Sequence, residues 1–258
     1  MVSRGYLPLG WHCRQPYASE QAQLARVGKV KLDTSMSTPD QSTPEEIRAA
    51  VRAMRRSYGE VGLAEVAGDP IAQFTSWLIE AAANPMIVEA NAMVLSTSDG
   101  DQISSRTVLL KDVTASGFSF FTNYESRKAR EMASHNQVSL LFPWFALERQ
   151  VIVQGVVEKL PTAASDEYFA TRPWGSQIGA WASAQSSELD NREALEAGYN
   201  EWAKTYPEGG AVPRPPHWGG YLVRPTTIEL WQGRYSRLHD RVRYIATNEG
   251  WAIKRFYP

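Results

Sequence analysis

From residue 92 onward the chain is a succession of short β-rich runs broken by tight-turn residues, and this texture excludes most alternative architectures. Residues 92–97, 103–111, 117–122, 138–144 and 149–160 are rich in β-branched and aromatic side chains. Ser98-Asp99-Gly100-Asp101 is the kind of turn that joins antiparallel neighbours, whereas parallel strands need a crossover of a dozen or more residues. A short helix from Ser126 to about Ser134 interrupts the set, and helices return near 162–171, 175–182 and 188–206. A Pro-rich loop, 213–216, leads into four last strands near 220–224, 227–232, 237–247 and 251–256. The expected fold is mainly β with helices (α+β), an antiparallel barrel flanked by helices rather than a doubly wound parallel sheet.

The first 42 residues carry no sustained periodicity and read as a flexible N-terminal arm, leaving 43–258 as one domain. Thr43-Pro44-Glu45-Glu46 opens a helix with a hydroxyl cap, Pro at the first position and acids in the first turn. That helix is expected to run to about Ser57 and to carry Arg52, Arg55 and Arg56. Asp69-Pro70 opens a second helix, with Ile71, Phe74, Trp77, Leu78 and Ala81 at helical spacing.

A net charge of −1 gives no global pull toward nucleic acid or an acidic membrane, so any anion site must be local. The single cysteine, Cys13, excludes an intrachain disulfide and suits a reducing, cytoplasmic compartment. Arg4 and Arg14, with no acid among residues 1–19, leave an organelle-targeting segment as the alternative. The four histidines have no ligand-type spacing, so no metal site is expected. No apolar run is long enough for a membrane helix.

Neither a G-x-G-x-x-G turn nor a Walker loop is present, but several clusters could hold anions. In an extended strand Arg237, His239 and Arg241 would share one face, which suits an anionic ligand or a solvated edge. Arg106 and Lys111, five apart, would face opposite sides of a straight strand unless a bulge intervenes. Ser126 reads as a helix cap, which puts Arg127 and Lys128 in a first turn where cations are unfavourable. A phosphate bound there would turn that penalty into a site. Tyr168 and Arg172 lie one helical turn apart, with Ser176 just past Pro173, and a second phosphate pocket or a solvated face fits them equally. Gln185-Ser186-Ser187 reads in isolation as a cap for the following helix.

In order, Asn91-Ala92-Met93-Val94, Arg106 through Lys111, Phe121-Thr122-Asn123, Ser126-Arg127-Lys128 and Leu141-Phe142-Pro143-Trp144 form a specific series. It continues through Arg149-Gln150-Val151, Tyr168 to Pro173, Ser176 to Ala180, Gln185-Ser186-Ser187, Trp218-Gly219-Gly220 and Trp231 to Arg241. The series resembles the FMN-dependent pyridoxamine (pyridoxine) 5′-phosphate oxidase family, from about residue 54 to 258.

The resemblance implies a split-barrel homodimer with FMN at the subunit interface. It implies oxidation of pyridoxamine and pyridoxine 5′-phosphate at C4′, with hydride passing to flavin N5 and oxygen as final acceptor, giving peroxide. Arg106, Arg127 and Lys128 would hold the FMN phosphate, and Thr107, Val108, Leu109, Leu110, Lys111, Phe121, Thr122 and Gln150 would line the flavin. Gln185, Ser186, Trp231 and Arg241 would reach FMN from the other subunit. Lys111, Tyr168, Arg172 and Ser176 would clamp the substrate phosphate, Arg237 and His239 would cover its ring as catalytic residues, and Arg55 and Tyr58 would form a lid. Trp174-Gly175 and the terminal Arg255-Phe256-Tyr257-Pro258 depart from the commoner family pattern without removing a proposed ligand. Two alternatives stay open: a flavin oxidoreductase acting on a phenazine-type substrate, and a non-enzymatic carrier of pyridoxal phosphate.

Overall fold

The computed structural model of the chain describes residues 43–54 and 57–258. The expected arm and Arg55 lie outside the described residues. The chain divides into two compact units, Met1–Arg55 and Arg56–Pro258, a boundary inside the stretch read above as one domain. In the first unit, helix α1 spans Pro44–Ala53 and stops short of the expected Ser57.

The second unit opens with α2 (Pro70–Ala83), whose N-terminus is fixed as the sequence suggests: Asp69 accepts from the Ile71 N–H at 3.0 Å. Nine antiparallel strands follow: β1 (Ala92–Ser98), β2 (Ile103–Leu109), β3 (Asp112–Thr114), β4 (Gly117–Asn123), β5 (Gln137–Trp144), β6 (Arg149–Lys159), β7 (Trp218–Gln232), β8 (Asp240–Thr247) and β9 (Gly250–Phe256). Helices α3 (Arg127–Ser134), α4 (Thr162–Ala170), α5 (Trp174–Ala182) and α6 (Arg192–Thr205) are inserted between them. The sheet order is β2-β1-β5-β6-β7-β4-β3, with β8 and β9 added at β7. The sheet curls until β2 approaches β4, which makes it a split barrel.

Strict alternation puts one face of β1 and of β5 inside. Met93 and Leu95 of β1 and Leu140, Phe142 and Trp144 of β5 are buried, while their sequence neighbours are only partly covered. Helix α2 fills the core with Phe74, whose ring lies 4.9 Å from both Phe118 and Phe142. Trp144 satisfies its buried indole N–H on the Ala90 carbonyl at 2.9 Å.

Three expectations change. The runs 220–224 and 227–232 are one strand, because a bulge at Thr226 absorbs Pro225 without breaking the ladder to β6. Gly155 makes this fit: a Cβ there would lie 2.1 Å from the Arg224 carbonyl oxygen. The run 103–111 ends as a strand at Leu109, and β3 is an additional short strand. The last long strand starts at Asp240 rather than 237, since Tyr235–Arg237 forms a single 3-10 turn.

Candidate functional site

A cavity of about 750 Å³ opens on the outer side of β2 and β4. Strand β2 supplies Arg106, Thr107, Val108 and Leu109, and the break after it supplies Lys111. That break resolves the parity problem: with the strand ended at Leu109, Arg106 and Lys111 line the same cavity although five residues separate them. Leu110 turns into the core instead, where it is 5% exposed. Phe121 and Thr122 come from β4, Lys128 from α3, Tyr168 from α4, Arg172 from the α4–α5 junction and Ser176 from the first turn of α5.

One end of the cavity is built around the N-terminus of α3. Ser126 holds the cap position, but its hydroxyl donates to the Asn123 carbonyl at 2.8 Å instead of capping, and no acid stands in the first turn. The N-terminal N–H groups therefore have no side-chain cap. Lys128 is buried, donating to Gln185 Oε1 at 2.8 Å and to the Thr122 and Ser126 hydroxyls at 3.2 Å. Burial, then the nearby Arg106 charge, push its pKa down to about 8. Gln185 also accepts from the Thr122 hydroxyl at 3.1 Å, so it closes the cavity of its own chain, while Ser186 beside it is exposed at a left-handed φ of 74°. Arg127 is not part of the lining; its Nε donates to Glu131 at 2.7 Å.

The other end is aromatic and cationic. The Phe121 and Tyr168 rings stack with centroids 3.9 Å apart, and Trp218 lies parallel to Phe121 at 5.5 Å. The Arg172 guanidinium sits 4.6 Å over the Trp218 ring, and its Nη1 is buried without a hydrogen-bond partner. Burial lowers the Arg172 pKa and raises that of Tyr168. Lys111 is also lowered, by burial and by Arg172, although Glu89 opposes the shift.

Tyr58, Gln150, Trp231, Arg237, His239 and Arg241 do not line this cavity. Tyr58 meets the Trp231 and His239 rings edge-on at 5.7 and 5.5 Å, and Gln150 sits opposite Trp231 in the β6–β7 register. The expected single face of Arg237, His239 and Arg241 does not form. Ser236 and Arg237 adopt positive φ values of 56° and 61°, so the chain turns and only Arg241 belongs to β8. Arg241 is already paired: it and Arg243 both grip the buried Glu229 carboxylate, at 2.8 and 2.6 Å. The backbone N–H of Arg234 donates to His239 Nδ1 at 3.0 Å, so the neutral ring carries its proton on Nε2. Burial and Arg237 keep the pKa of that imidazole below the usual value.

Residues 79–206 match the family described as pyridoxamine 5′-phosphate oxidase, and residues 218–258 match the pyridoxine 5′-phosphate oxidase C-terminal dimerisation region. A pyridoxine/pyridoxamine 5′-phosphate oxidase of Streptomyces avermitilis is 50% identical over 213 residues, covering 80% of this chain and 95% of the relative. The chain belongs to the pyridoxine/pyridoxamine 5′-phosphate oxidase family. The enzyme of that name from Rubrobacter xylanophilus is 50% identical over 218 residues, 83% of this chain and all of the relative. PhzG of Burkholderia lata, solved with tetrahydrophenazine-1-carboxylic acid, is 31% identical with a TM-score of 0.70, over 74% of this chain and 94% of its own. An FMN-binding protein of Nostoc punctiforme shares the split-barrel fold at a TM-score of 0.60 and 13% identity, covering 75% of this chain and all of its own.

The residue reading missed Glu131, Glu229 and the role of Trp218. Glu131 stands one helical turn after Arg127, a spacing that flags an ion pair. Glu229 meets Arg241 and Arg243 only through strand pairing, and no local spacing marks it.

Proposed function

We propose that this family member oxidises pyridoxine and pyridoxamine 5′-phosphate to pyridoxal 5′-phosphate, using FMN held in the 750 Å³ cavity. The observation that carries the reading is that one cavity has two cationic ends, Arg106 with Lys128 and Lys111 with Arg172, along one wall. Arg106 on β2 is near Lys128, whereas Lys111, past the end of β2, is near Arg172, so the two pairs can serve two phosphates. The residues fit FMN. Lys128 is a buried cation with no carboxylate partner among the described residues, beside an uncapped helix start, and β2 with Phe121 supplies a long wall for a flat ring system.

Arg106, Lys128 and the α3 N–H groups would take the cofactor phosphate. Lys111, Tyr168, Arg172 and Ser176 would take the substrate phosphate, the unpartnered Arg172 Nη1 gaining an acceptor. FMN there would supply two-electron chemistry: C4′ loses a hydride and a proton, oxygen ends as hydrogen peroxide, and for the amine substrate water adds to the resulting imine and ammonia leaves. Binding energy from the remote phosphate would align the reacting carbon, so loss of the clamp should lower turnover as well as affinity. His239, whose Nδ1 accepts from the Arg234 N–H, would offer its Nε2–H to the substrate ring. Trp231, Arg237 and His239 lie outside their own chain's cavity and within the matched dimerisation region, so a homodimer would bring a partner's copies to each site.

A visible spectrum of the purified protein, followed by anaerobic pyridoxine phosphate, tests the reading. A flavin band that bleaches on addition supports it. A colourless protein that binds pyridoxal phosphate would instead be a carrier. A flavin bleached only by a reduced phenazine precursor would move the substrate toward that of the PhzG relative.

A further inference from the structure

The buried carboxylate of Glu131 does not line the cavity, yet it organises the phosphate end. Its Oε2 accepts from the Thr97 hydroxyl at 2.5 Å, the Ser104 hydroxyl at 2.6 Å and Arg106 Nη2 at 3.3 Å, and its Oε1 accepts from Arg127 Nε at 2.7 Å. One side chain thus joins β1, β2 and α3. Glu131 is 3% exposed and lies in the second half of α3, where the helix dipole disfavours a carboxylate. Burial alone would raise its pKa, but four donors hold it down to about 2. An acid placed against both the dipole and desolvation needs a reason beyond fold stability.

The geometry supplies one. Arg106 and Lys128 both line the cavity, and among the described residues the one carboxylate paired with Arg106 is Glu131, which also holds Arg127 Nε outside the lining. Arg106 is held by a second set of acceptors: Nη1 donates to the Leu95 carbonyl and the Thr97 hydroxyl, and Nη2 also donates to the Ser104 hydroxyl. Thr97 and Ser104 therefore bond both Glu131 and Arg106, so the guanidinium plane is fixed through the carboxylate.

We propose that Glu131 is a positioning residue that orients Arg106 for the cofactor phosphate before it binds. The inference rests on the FMN reading above. Its test compares FMN with riboflavin, which has the same ring system and no phosphate. Apoprotein is titrated with each flavin and the quenching of flavin fluorescence is followed. Glu131→Gln keeps size and loses charge; it should weaken FMN about tenfold or more, as losses of ligand-orienting groups do, and leave riboflavin within about twofold. Glu131→Asp, which keeps the charge on a shorter arm, should recover part of the loss. If the Gln variant does not fold, Ser104→Ala removes one anchor shared by both side chains and should show the same FMN-selective loss. Equal weakening of both flavins, or no loss of FMN affinity, would overturn the proposal. Wild-type protein that binds riboflavin as tightly as FMN would sink the cofactor reading itself, a result separable from failure of Glu131.

Discussion

Replacing Arg172 with Met should disable the enzyme and stabilise the ligand-free protein at the same time. The buried Nη1 has no partner, and an unsatisfied buried donor costs about 1–3 kcal/mol. The Trp218 ring beneath the guanidinium returns about 0.5–2 kcal/mol of that. Met fills similar space and keeps a sulfur–aromatic contact of about 0.3–1.5 kcal/mol. The balance favours the variant by about 1 kcal/mol, a rise of about 2–4 °C in Tm for a chain of this size. Burial depresses the arginine's pKa, so the charge penalty is present wherever the group stays protonated. The gain should accordingly be constant across roughly pH 6–9, where arginine does not titrate. On the functional side, losing one charge-assisted hydrogen bond of about 1.5–3 kcal/mol lowers kcat/KM by about ten- to hundredfold. Thermal unfolding with and without inorganic phosphate, beside steady-state kinetics, measures both effects. Phosphate should raise the wild-type Tm more than that of the variant. A Met variant that melts below wild type, or that keeps full kcat/KM, would refute the reasoning.

Lys128 has its pKa depressed to about 8, so above that pH it is a neutral amine that must take up a proton to meet a phosphate. FMN affinity should be level between about pH 7 and 8, where the phosphate is a dianion, and fall above pH 8, and a Lys128→Met variant, weaker throughout, should lose the fall above pH 8. The same depression means that the unfavourable buried charge is fully present below pH 8 and is shed as pH rises, so the apoprotein should gain stability through the window from 8 toward 10.5. Gly220→Ala should damage the substrate end without touching a ligand, because its Cβ would lie 2.7 Å from Phe121 and 2.6 Å from Leu160. Displacing the Phe121 ring from Tyr168 should appear as a raised KM with FMN still bound. Phe74→Ala removes the fully buried ring that α2 inserts among Phe118, Phe142 and Trp144 and should cost about 3–5 kcal/mol in urea unfolding.

Strands such as β1 and β5 are legible because they alternate strictly. Met93 and Leu95, or Leu140 and Phe142, leave one register in which the apolar face is buried. Caps were legible where a side chain acts on its own helix, as Asp69 does on α2. Reading failed where long-range pairing overrides a local signal. Pro225 looks like a strand end, yet the bulge at Thr226 carries β7 through it, and only the partner strand reveals this. Ser236 and Arg237 take left-handed φ values with no glycine to announce the turn, so the shared face expected for Arg237, His239 and Arg241 depended on a strand that does not exist.

The cationic motifs show why residue type alone overstates a site. Arg106 and Arg127 share Glu131, and Arg241 and Arg243 share Glu229, so each pair is already largely neutralised by one buried acid. Among the described residues no ion pair engages Lys111, Lys128 or Arg172, and all three line the cavity. Burial depresses the pKa of each, which means that the fold bears the cost of holding charge there without an internal partner. A protein with a net charge of −1 has acids to spare for its cations. Leaving these three unpaired therefore reserves their charge for ligands, whereas Glu131 and Glu229 fix the directions of the arginines they hold. The distinction lies in which cations lack a carboxylate, and that is set by contacts such as Arg106 to Glu131, 25 residues apart, and Arg241 to Glu229, 12 apart.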